Sequence, residues 1–381
     1  MQGHNMRNQK INISYLIGNL NKEHGGAQQL LFDICRHLPS SEFDTTIYYM
    51  FGEGTYTDEF ERHDASVVNI GASSNYDLAA FVRLVRHLRT SDHDVLQTNS
   101  PISGVWGRIA GRLSGMSRVV SIEHSVHTSY PLSNRIANGI TLPLSTAIVG
   151  VSDAVVNSLR PWERRLLTDE TKIRTIQNGV DVKAIEQEFS KTDDVLSNLQ
   201  ISREQPVIGT VGRFTEAKGY KYLIRAFPEI KQHRPDAQLL LIGGGDLMTE
   251  LKSEAKSTDY QDDIVFTGLL SNVFPYLPAF DVAVFPSLWE GLPLAPAEAM
   301  AARCPIIGTD IPPFREVVND AGILVEPKDE AALADAIIQL LDDPVRRREL
   351  GSRGYKRVTE NFSIERTVEE YVDLYRELVD E

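Results

Sequence analysis

The chain has 381 residues, of which 42% are hydrophobic and 24% are charged, and it exceeds the roughly 250–300 residues at which a single core stops growing. This composition predicts a globular protein of two domains rather than a disordered or fibrous chain. The formal net charge of -14 disfavours nonspecific binding to nucleic acid, whose phosphates repel an acidic surface.

Cysteine content and hydropathy predict a cytoplasmic protein. The two cysteines, Cys35 and Cys304, lie in apolar settings and cannot form a disulfide framework, so we expect core residues in a reducing compartment. The amino terminus runs into a strand without an apolar signal region. The longest uncharged run, between Arg135 and Asp153, is too polar to span a bilayer.

Residues 1–185 predict a doubly wound α/β domain, in which apolar strands alternate with amphipathic helices. Predicted strands lie at 11–16, 46–50, 67–70, 94–98, 119–122 and 147–151, and predicted helices include 27–38, 78–88 and 105–113. A turn containing Gly25 and Gly26 follows the first strand, at the end of the sheet where parallel sheets bind ligands.

Residues 206–362 repeat this architecture after a polar, patternless segment at 186–205 that predicts a linker. Predicted strands lie at 207–211, 238–242, 264–267, 282–285, 306–309 and 323–325, and a final helix is predicted at 364–379. Pro228 lies inside the helix that begins near Tyr220, and we expect it to kink or end that helix because proline has no backbone N–H.

Two cations fall in the first strand-to-helix turn of the second domain. Arg213 and Lys218 lie between Gly212 and Gly219 in the sequence VIGTVGRFTEAKGYKYLIRAF. Most lysines and arginines are simply solvated, but a strand-to-helix turn is a common place for phosphate to bind. The position of these two cations therefore predicts a phosphate site.

Two carboxylates follow about seventy residues later. Glu290 lies in the loop after the strand at 282–285, and Glu298 lies in the Ala-rich helix that follows, within the sequence EGLPLAPAE. Structural alternatives are an ion pair from Glu298 to Arg303 and capping of backbone amides by Glu290. Carboxylates also accept hydrogen bonds from sugar hydroxyls, so cations and carboxylates together predict a pocket for a nucleotide sugar.

These motifs resemble the large retaining glycosyltransferase family 4, which has the GT-B fold. Further matching sequences are AMAARCPIIGTD at 299–310, Gly25-Gly26-Ala27-Gln28 and IQNGVD at 176–181. The resemblance spans nearly the whole chain. It implies two facing Rossmann-like doubly wound domains with a cleft between them: an acceptor domain at 1–185, a nucleotide-sugar domain at 206–362, and a helix at 363–381 that packs back on the first domain.

The resemblance also implies roles for the donor-site residues. Arg213 and Lys218, beside Gly212, would contact the donor diphosphate and stabilise the departing nucleotide, where charge develops. Glu290 would bind hydroxyls of the donor sugar and Glu298 the ribose.

Backbone and amino-domain groups complete the site that the resemblance implies. Leu294 and Ala295 would supply backbone amides near the phosphates, and Gly25 and Gly26 would let amides approach the diphosphate. A helix amino-terminal turn is the structural alternative for these glycines. His124 matches the family histidine that reaches the donor sugar, although a lone histidine is more often structural.

Acceptor contacts are expected at Asn99 and His127, with His127 also a second candidate for the role of His124. The chain departs from the family pattern where Gln97, Thr98 and Asn99 replace histidines found in many members. Arg303-Cys304 and Ile311-Pro312-Pro313 replace small or glycine-rich sequences. The last change is expected to reduce the amide donors near the phosphates or to reshape the sugar pocket.

No metal or other cofactor is expected. Asp92-His93-Asp94 has the Asp-x-Asp spacing that holds a divalent ion in many other glycosyltransferases. It precedes a predicted strand, however, and therefore lies at the opposite end of the sheet from the ligand site. Arg213 and Lys218 would replace the metal.

The sequence thus predicts a metal-independent retaining transferase that moves a hexose-type sugar from a nucleotide-diphosphate sugar to a glycan or lipid-linked acceptor by a front-face mechanism. Alternatives are another GT-B enzyme, such as a nucleotide-sugar epimerase or phosphorylase, and a non-catalytic nucleotide-sugar-binding subunit. Basic residues at 83–89 and at Arg108, Arg112 and Arg118 predict weak, salt-sensitive contact with an anionic membrane surface. Solvated helix surfaces are the alternative.

Overall fold

The computed structural model describes residues 10–21, 26–99, 101–167, 169–199, 201–202 and 204–380. These residues form two compact units. The first unit contains the chain up to Gln177 and the last helix, which begins at Ile364, and the second contains Asn178–Ser363. Each unit is a parallel β-sheet flanked by helices.

The strands are β1 (Ile11–Asn19), β2 (Phe43–Phe51), β3 (Ser66–Asn69), β4 (Val95–Thr98), β5 (Val119–Glu123), β6 (Ala147–Gly150), β7 (Ile173–Thr175), β8 (Val207–Val211), β9 (Gln238–Ile242), β10 (Ile264–Gly268), β11 (Val282–Phe285), β12 (Ile306–Thr309) and β13 (Gly322–Val325). The first unit has the strand order β3-β2-β1-β4-β5-β6-β7, and the second has β10-β9-β8-β11-β12-β13. In both sheets the order reverses beside the first strand of the unit. Parallel α/β sheets bind ligands at such a reversal.

The α-helices are α1 (Gly26–His37), α2 (Thr57–Glu61), α3 (Leu78–Thr90), α4 (Pro101–Ser114), α5 (Leu132–Thr141), α6 (Asp153–Asn157), α7 (Pro161–Leu166), α8 (Val182–Gln187), α9 (Thr192–Asn198), α10 (Tyr220–His233), α11 (Met248–Lys256), α12 (Leu294–Ala301), α13 (Pro312–Val317), α14 (Glu330–Asp342), α15 (Pro344–Asn361) and α16 (Ile364–Asp380). In the part of the chain that the structure describes, none is both long and apolar enough to cross a bilayer.

The helices of the first unit form two layers, one on each face of the sheet, and the direction in which each strand connects to the next shows which helix lies on which face. The connections β3–β4, β4–β5 and β5–β6 run the same way across the sheet, so right-handed crossovers place α3, α4 and α5 on one face. Contacts between α3 and α4 and between α4 and α5 agree with this layer. Connections β1–β2 and β2–β3 run the other way, which places α1 and α2 on the opposite face.

Helix α16 belongs to that second layer, because it contacts α1 and β4. Its buried side chains recur every three or four residues and include Val368, Tyr371, Val372, Tyr375 and Val379. This periodicity is that of one apolar helix stripe packed on a core. The last helix of the chain is therefore part of the first unit.

The second unit has one large core between its sheet and helices α10 and α14. Leu223, Ile224 and Phe227 of α10 are fully buried there, beside Ile337 and Leu340 of α14. Helix α10 continues through Pro228 to His233. The expectation that Pro228 ends the helix, one of the two stated, is therefore wrong. The neighbouring Phe227 and Ile230 are both fully buried.

The segment predicted as a linker is largely helical. Helices α8 and α9 and the 3₁₀ turn Phe189–Lys191 occupy residues 182–198. Val182, Ile185 and Leu196 are buried, and α8 and α9 contact the 3₁₀ segment Phe274–Ala279 of the same unit. A few buried side chains thus hold a mostly polar segment in the second unit.

Candidate functional site

The donor-site residues predicted in the second unit come from two neighbouring strands. β8 and β11 pair in parallel at the strand-order reversal, so the loops that follow them start at the same edge of the sheet. A hydrogen bond from the Leu288 N–H to the Ala217 carbonyl, at 2.7 Å, joins the two loops. The structure therefore brings together the residues around Gly212–Gly219 and around Glu290.

Two glycines are required by the local geometry. Gly219 has a φ of 63°, and a Cβ there would lie 2.1 Å from the Pro286 carbonyl oxygen. Gly212 has a φ of 152°, and its Cβ would lie 2.5 Å from the Tyr220 hydroxyl. Side chains would force the β8 loop away from the β11 loop and from α10.

Lys218 and Glu290 form an ion pair in this loop junction. The Lys218 ammonium lies 2.6 Å from Glu290 Oε1, and the same oxygen accepts a hydrogen bond from the Ser287 hydroxyl at 2.8 Å. Both charged side chains are largely shielded from solvent. Glu290 thus fixes the ammonium, and Ser287 fixes Glu290.

Arg213 is a cation of this loop without an ion-pair partner in the described part of the chain. Its side chain is exposed, and among the described residues no carboxylate forms an ion pair with its guanidinium. Glu290 balances Lys218, and Glu216 in the same loop is exposed and forms no ion pair with Arg213 among the described residues. A planar guanidinium in this state can bind a diphosphate through two hydrogen bonds.

The amino terminus of α12 adds backbone donors. Pro293 at its N-cap provides no side-chain hydrogen bond, so the N–H groups of Leu294 and Ala295 at the first turn are available to an anion. Glu298 lies one turn further along, is half-buried and already has an interaction partner. Leu294 and Ala295 thus begin the helix that follows the Glu290 loop.

The first unit presents a polar side chain at its own strand-order reversal, where β1 and β4 pair. Asn99 follows β4, is buried, and accepts a hydrogen bond from the Gln97 amide at 3.1 Å. Gln97 in turn accepts one from the Tyr375 hydroxyl of α16 at 2.6 Å. The Asn99 Nδ2 amide has no partner among the residues described, and it is therefore a donor without an acceptor.

Of the two glycines predicted in the turn after β1, the structure describes one. Gly26 begins α1 and is exposed, whereas Gly25 lies outside the described residues. The start of α1 is held to the end of β1 by a 2.9 Å hydrogen bond from the Gln28 amide to Asn19 Oδ1.

His124 follows β5 with an unpartnered ring nitrogen. Its Nε2 is buried and has no hydrogen-bond partner in the described part of the chain. Burial lowers the pKa of His124 to about 4, although the Glu123 carboxylate acts in the opposite direction. The imidazole is thus neutral near pH 7, and its Nε2 makes no hydrogen bond to the described residues.

His127, the second predicted acceptor contact, lies in a buried cluster of charged side chains. It is fully buried, with Nε2 3.2 Å from Glu123 Oε2 and Nδ1 3.1 Å from Glu163 Oε1. Burial alone would lower the pKa of His127, but the two carboxylates outweigh it and raise the pKa. Both ring nitrogens lie close to protein carboxylates, but Nε2 makes no hydrogen bond among the described residues, and the acceptor contact stays a prediction.

Arg108 extends this buried network. The side chain is fully buried, its Nη1 lies 3.8 Å from Glu123 Oε1, and its Nη2 donates to Asn138 Oδ1. Arg108 therefore does not contribute to a basic surface. No sequence signal revealed the network, because its members come from β5, α4, α5 and α7.

Asp94 has a structural role. Its Oδ2 accepts a hydrogen bond from the Asn12 N–H at 2.9 Å, and its own N–H donates to the Asn12 carbonyl. These bonds lie at the amino ends of β1 and β4, opposite the ligand edge. Asp94 thus helps to pair the two strand starts.

Two family models match adjacent parts of the chain. Residues 24–184 match Glycosyltransferase Family 4, and residues 192–357 match Glycosyl transferases group 1. Among curated relatives, the Escherichia coli UDP-Gal:alpha-D-GlcNAc-diphosphoundecaprenol alpha-1,3-galactosyltransferase is 28% identical over 320 residues, 80% of each chain. The Bacillus anthracis N-acetyl-alpha-D-glucosaminyl L-malate synthase is 28% identical over 315 residues, again 80% of each chain.

Solved structures share the fold. Anabaena HepE in complex with UDP and glucose superimposes with a TM-score of 0.84 at 18% identity, covering 96% of this chain and all of that one. A sucrose-phosphate synthase from Thermosynechococcus elongatus superimposes with a TM-score of 0.78 at 23% identity, covering 97% and 99%. With its two Rossmann-like units and a family model matched to each, the chain is a glycosyltransferase of the GT-B fold and belongs to glycosyltransferase family 4.

Proposed function

We propose that the protein is a metal-independent, retaining transferase that moves a hexose-type sugar from a nucleotide-diphosphate sugar to a glycan or lipid-linked saccharide. The observation that carries the proposal is the loop junction of the second unit. There an exposed Arg213 lies in the same loop as Lys218, whose ammonium is 2.6 Å from Glu290. Cations for a diphosphate and a carboxylate for sugar hydroxyls are thus neighbours.

Each side chain has a separate role in this proposal. Arg213 and Lys218 bind the diphosphate and stabilise it as it departs, with help from the Leu294 and Ala295 amides. Glu290 orients the donor sugar through its hydroxyls, and Glu298 holds the ribose. These cations remove the need for a divalent ion.

The first unit would supply the remaining contacts. His124 would reach the donor sugar through its unpartnered Nε2, Gly25 and Gly26 would approach the diphosphate, and Asn99 would bind the acceptor through its Nδ2. His127 is the second candidate for an acceptor contact, and Glu123 and Glu163 lie beside its ring nitrogens.

The proposed mechanism is a front-face substitution. The departing phosphate oxygen takes the proton of the acceptor hydroxyl while the acceptor oxygen bonds to the anomeric carbon on the same face. A double displacement would need a carboxylate nucleophile at that carbon. Glu290 is already bound to Lys218 and Ser287 through Oε1, which favours an orienting role.

The relatives guide the choice of substrates. HepE has been solved with UDP-glucose, and the name of the Escherichia coli relative specifies UDP-Gal and a diphosphoundecaprenol-linked acceptor. We therefore place UDP-hexoses first as donors and diphosphate-linked lipid saccharides first as acceptors. Such an enzyme would act in the cytoplasm, peripherally at the inner face of the membrane.

The test is a reaction of UDP-glucose, UDP-galactose and their N-acetyl forms with a short-chain lipid-diphosphate saccharide in EDTA. Proton NMR of the new linkage should show the anomeric configuration of the donor. An inverted linkage would rule out the retaining mechanism. Sugar isomerised without acceptor would indicate an epimerase, and donor binding without turnover on any acceptor would indicate a non-catalytic subunit.

A further inference from the structure

Helix α5 carries a row of exposed apolar side chains. Leu132 is 64% exposed, Ile136 is 43% exposed and Ile140 is 61% exposed. Their spacing of four residues places them on one side of the helix. Three large aliphatic groups in a row differ from the scattered exposed residues found on most protein surfaces.

Helix α3 adds apolar groups at its start. Leu78 is 73% exposed and Val82 is 51% exposed, again four residues apart, and Tyr76 just before the helix is also exposed. The two helices flank α4 in the same layer. Exposed apolar side chains therefore lie on both sides of α4.

The three helices of this layer contain basic residues and no acidic ones, and the carboxylate that caps the start of α3, Asp77, accepts a hydrogen bond from the Ala80 N–H. The sequences of α3, α4 and α5 have no Asp or Glu. Arg86, Arg89 and Arg112 are exposed on it, and no ion pair joins them to a carboxylate among the described residues. In a chain with a net charge of -14, this is a local excess of positive charge.

Hydrogen bonds fix two of these cations, Arg89 and Arg112, at one end of the layer. Arg89 of α3 donates to the Leu113 carbonyl at the end of α4, at 3.0 Å. Arg112 of α4 donates to the Leu144 carbonyl, shortly after α5, at 2.9 Å. The carboxyl ends of the helices are thus adjacent, and their cations form a row beside exposed Ile140 and Leu113.

Charge decides between the two simplest partners of this surface. A second copy that used the same surface in a two-fold dimer would place arginine against arginine. An anionic lipid bilayer supplies phosphates for the cations and an apolar layer for the leucine and isoleucine side chains. The surface therefore complements a bilayer better than it complements itself.

We infer that the outer surface of α3, α4 and α5, here called the three-helix face, binds anionic lipid bilayers. The aliphatic row of α5 and the start of α3 enter the interface, and Arg86, Arg89 and Arg112 bind lipid phosphates. The biological purpose of this contact rests on the proposed function, because a lipid-linked acceptor is reached at a membrane. Binding itself does not require catalysis.

The test is co-sedimentation with vesicles of phosphatidylcholine alone and of an equimolar mixture with phosphatidylglycerol. The wild type should partition strongly onto the anionic vesicles only. Each cation near an anionic surface contributes about fivefold, so Arg86→Gln, Arg89→Gln and Arg112→Gln together should reduce partitioning on the order of 100-fold. Salt at about 1 M, where the Debye length is ~3 Å, should have a similar effect.

A second variant tests the aliphatic row. Leu132→Ser, Ile136→Ser and Ile140→Ser together should weaken partitioning at least about tenfold, because buried apolar area supports interfacial binding. Matched controls come from the second unit: Leu269→Ser with Val345→Ser for exposed aliphatic residues, and Arg346→Gln, Arg348→Gln and Arg353→Gln for exposed cations. Neither control should change partitioning.

Three results would overturn the inference. They are equal partitioning of the wild type onto neutral and anionic vesicles, equal losses in control and target variants, and a wild-type dimer by light scattering that the α5 variant converts to monomer. Calorimetric titration of the same preparations with UDP separates the two proposals. UDP binding without vesicle binding would contradict only the proposal that the three-helix face binds membranes. Vesicle binding without binding of UDP, GDP or ADP would contradict only the proposed donor site.

Discussion

At the scale of single residues, Glu290 has two competing roles: it orients the donor sugar through hydrogen bonds, or it attacks the anomeric carbon as a nucleophile. Glu290→Gln removes its charge and the ion pair with Lys218 but keeps its size. We expect kcat/KM for transfer to fall roughly ten- to hundredfold, as for loss of a charged hydrogen bond. Steady-state kinetics measure this, with Glu250→Gln on α11 as the exposed control.

Azide distinguishes the two roles of Glu290. A small anion rescues an enzyme that has lost a carboxylate nucleophile, whereas it cannot replace an orienting hydrogen bond. We expect no rescue of Glu290→Gln. Recovery of turnover by azide, or a glycosyl adduct on Glu290 in the wild type by mass spectrometry, would contradict the front-face account.

Gly219 tests the junction between the β8 and β11 loops. Gly219→Ala and Gly268→Ala both place a side chain at positive φ, which costs about 1–2 kcal/mol. At Gly268 nothing lies within 4 Å of the new Cβ, whereas at Gly219 it meets the Pro286 carbonyl. Gly219→Ala should therefore lower the free energy of unfolding further and also weaken nucleotide binding.

Denaturant unfolding and nucleotide titration of the two glycine variants provide the comparison. Gly268→Ala should keep the wild-type affinity for nucleotide. If the two variants lost equal stability and equal affinity, close approach of the loops at Gly219 would not matter for the site.

The sequence indicated proximity where local motifs mark the residues, and gave no signal where the partner was distant. A glycine-bounded turn flanks Lys218 and a strand end precedes Glu290, and the structure places these two side chains 2.6 Å apart. The burial of His127 was not foreseen, since its partner Glu163 lies 36 positions away on α7. Nothing in the local sequence around His127 indicates that carboxylate.

At the scale of secondary structure, α16 contains a matched pair of tyrosines. The Tyr375 hydroxyl donates to Gln97 Oε1 at 2.6 Å, whereas the buried Tyr371 hydroxyl has no partner among the described residues. Tyr375→Phe leaves a buried amide oxygen unpaired and should cost about 1–3 kcal/mol. Tyr371→Phe removes an unpaired group and should be neutral or stabilising.

Urea unfolding followed by circular dichroism distinguishes the two tyrosine variants. Because Gln97 also holds Asn99, Tyr375→Phe should in addition raise the KM for acceptor. Equal unfolding midpoints for the two variants would show that the chain from α16 to Asn99 contributes nothing to the stability of the first unit.

His127 links β5 to α7 through a pH-dependent contact. Its pKa is raised by Glu123 and Glu163 against the effect of burial, and the ordinary value is about 6.5 in the unfolded chain. A group whose pKa is higher in the folded state stabilises the protein fully at pH values below its unfolded pKa. This stabilisation is lost as the pH rises through the folded pKa. The stability advantage over His127→Gln should therefore shrink from pH 6 to pH 9.

The comparison uses the free energy of unfolding of wild type and variant at each pH. His124 is present in both proteins, so its lowered pKa cancels. His233→Gln, an exposed histidine at the end of α10, is the matched control. An advantage that stayed constant across this range would contradict the charged contact.

Element prediction succeeded where apolar patterns were continuous. The strands expected at 207–211 and 238–242 have the observed bounds, because short, mostly apolar runs bounded by turns are typical of buried strands. Strand β7 was missed, since it has three half-buried residues. Helices α8 and α9 were missed because only Val182, Ile185 and Leu196 anchor them, and their contacts are tertiary.

At the scale of the whole molecule, the doubly wound architecture was predicted from alternation of strands and helices, and the structural and family comparisons confirm the GT-B fold. The alternation of strands and helices predicts a parallel sheet but does not predict the order of the strands within it. That order matters because the reversals beside β1 and β8 place the predicted ligand residues of each unit at one sheet edge.

The central claim is that Arg213 and Lys218 bind a nucleotide diphosphate without a metal. Its most direct test is calorimetric titration of UDP, GDP and ADP in EDTA against wild type, Arg213→Ala, Lys218→Ala and the exposed control Lys256→Ala. We predict that at least one nucleotide binds the wild type and the control equally, and that each site variant weakens Kd at least about tenfold, since a charged hydrogen bond contributes ~1.5–3 kcal/mol. Unchanged affinity in both site variants, or binding that appears only with added magnesium or manganese, would contradict the claim.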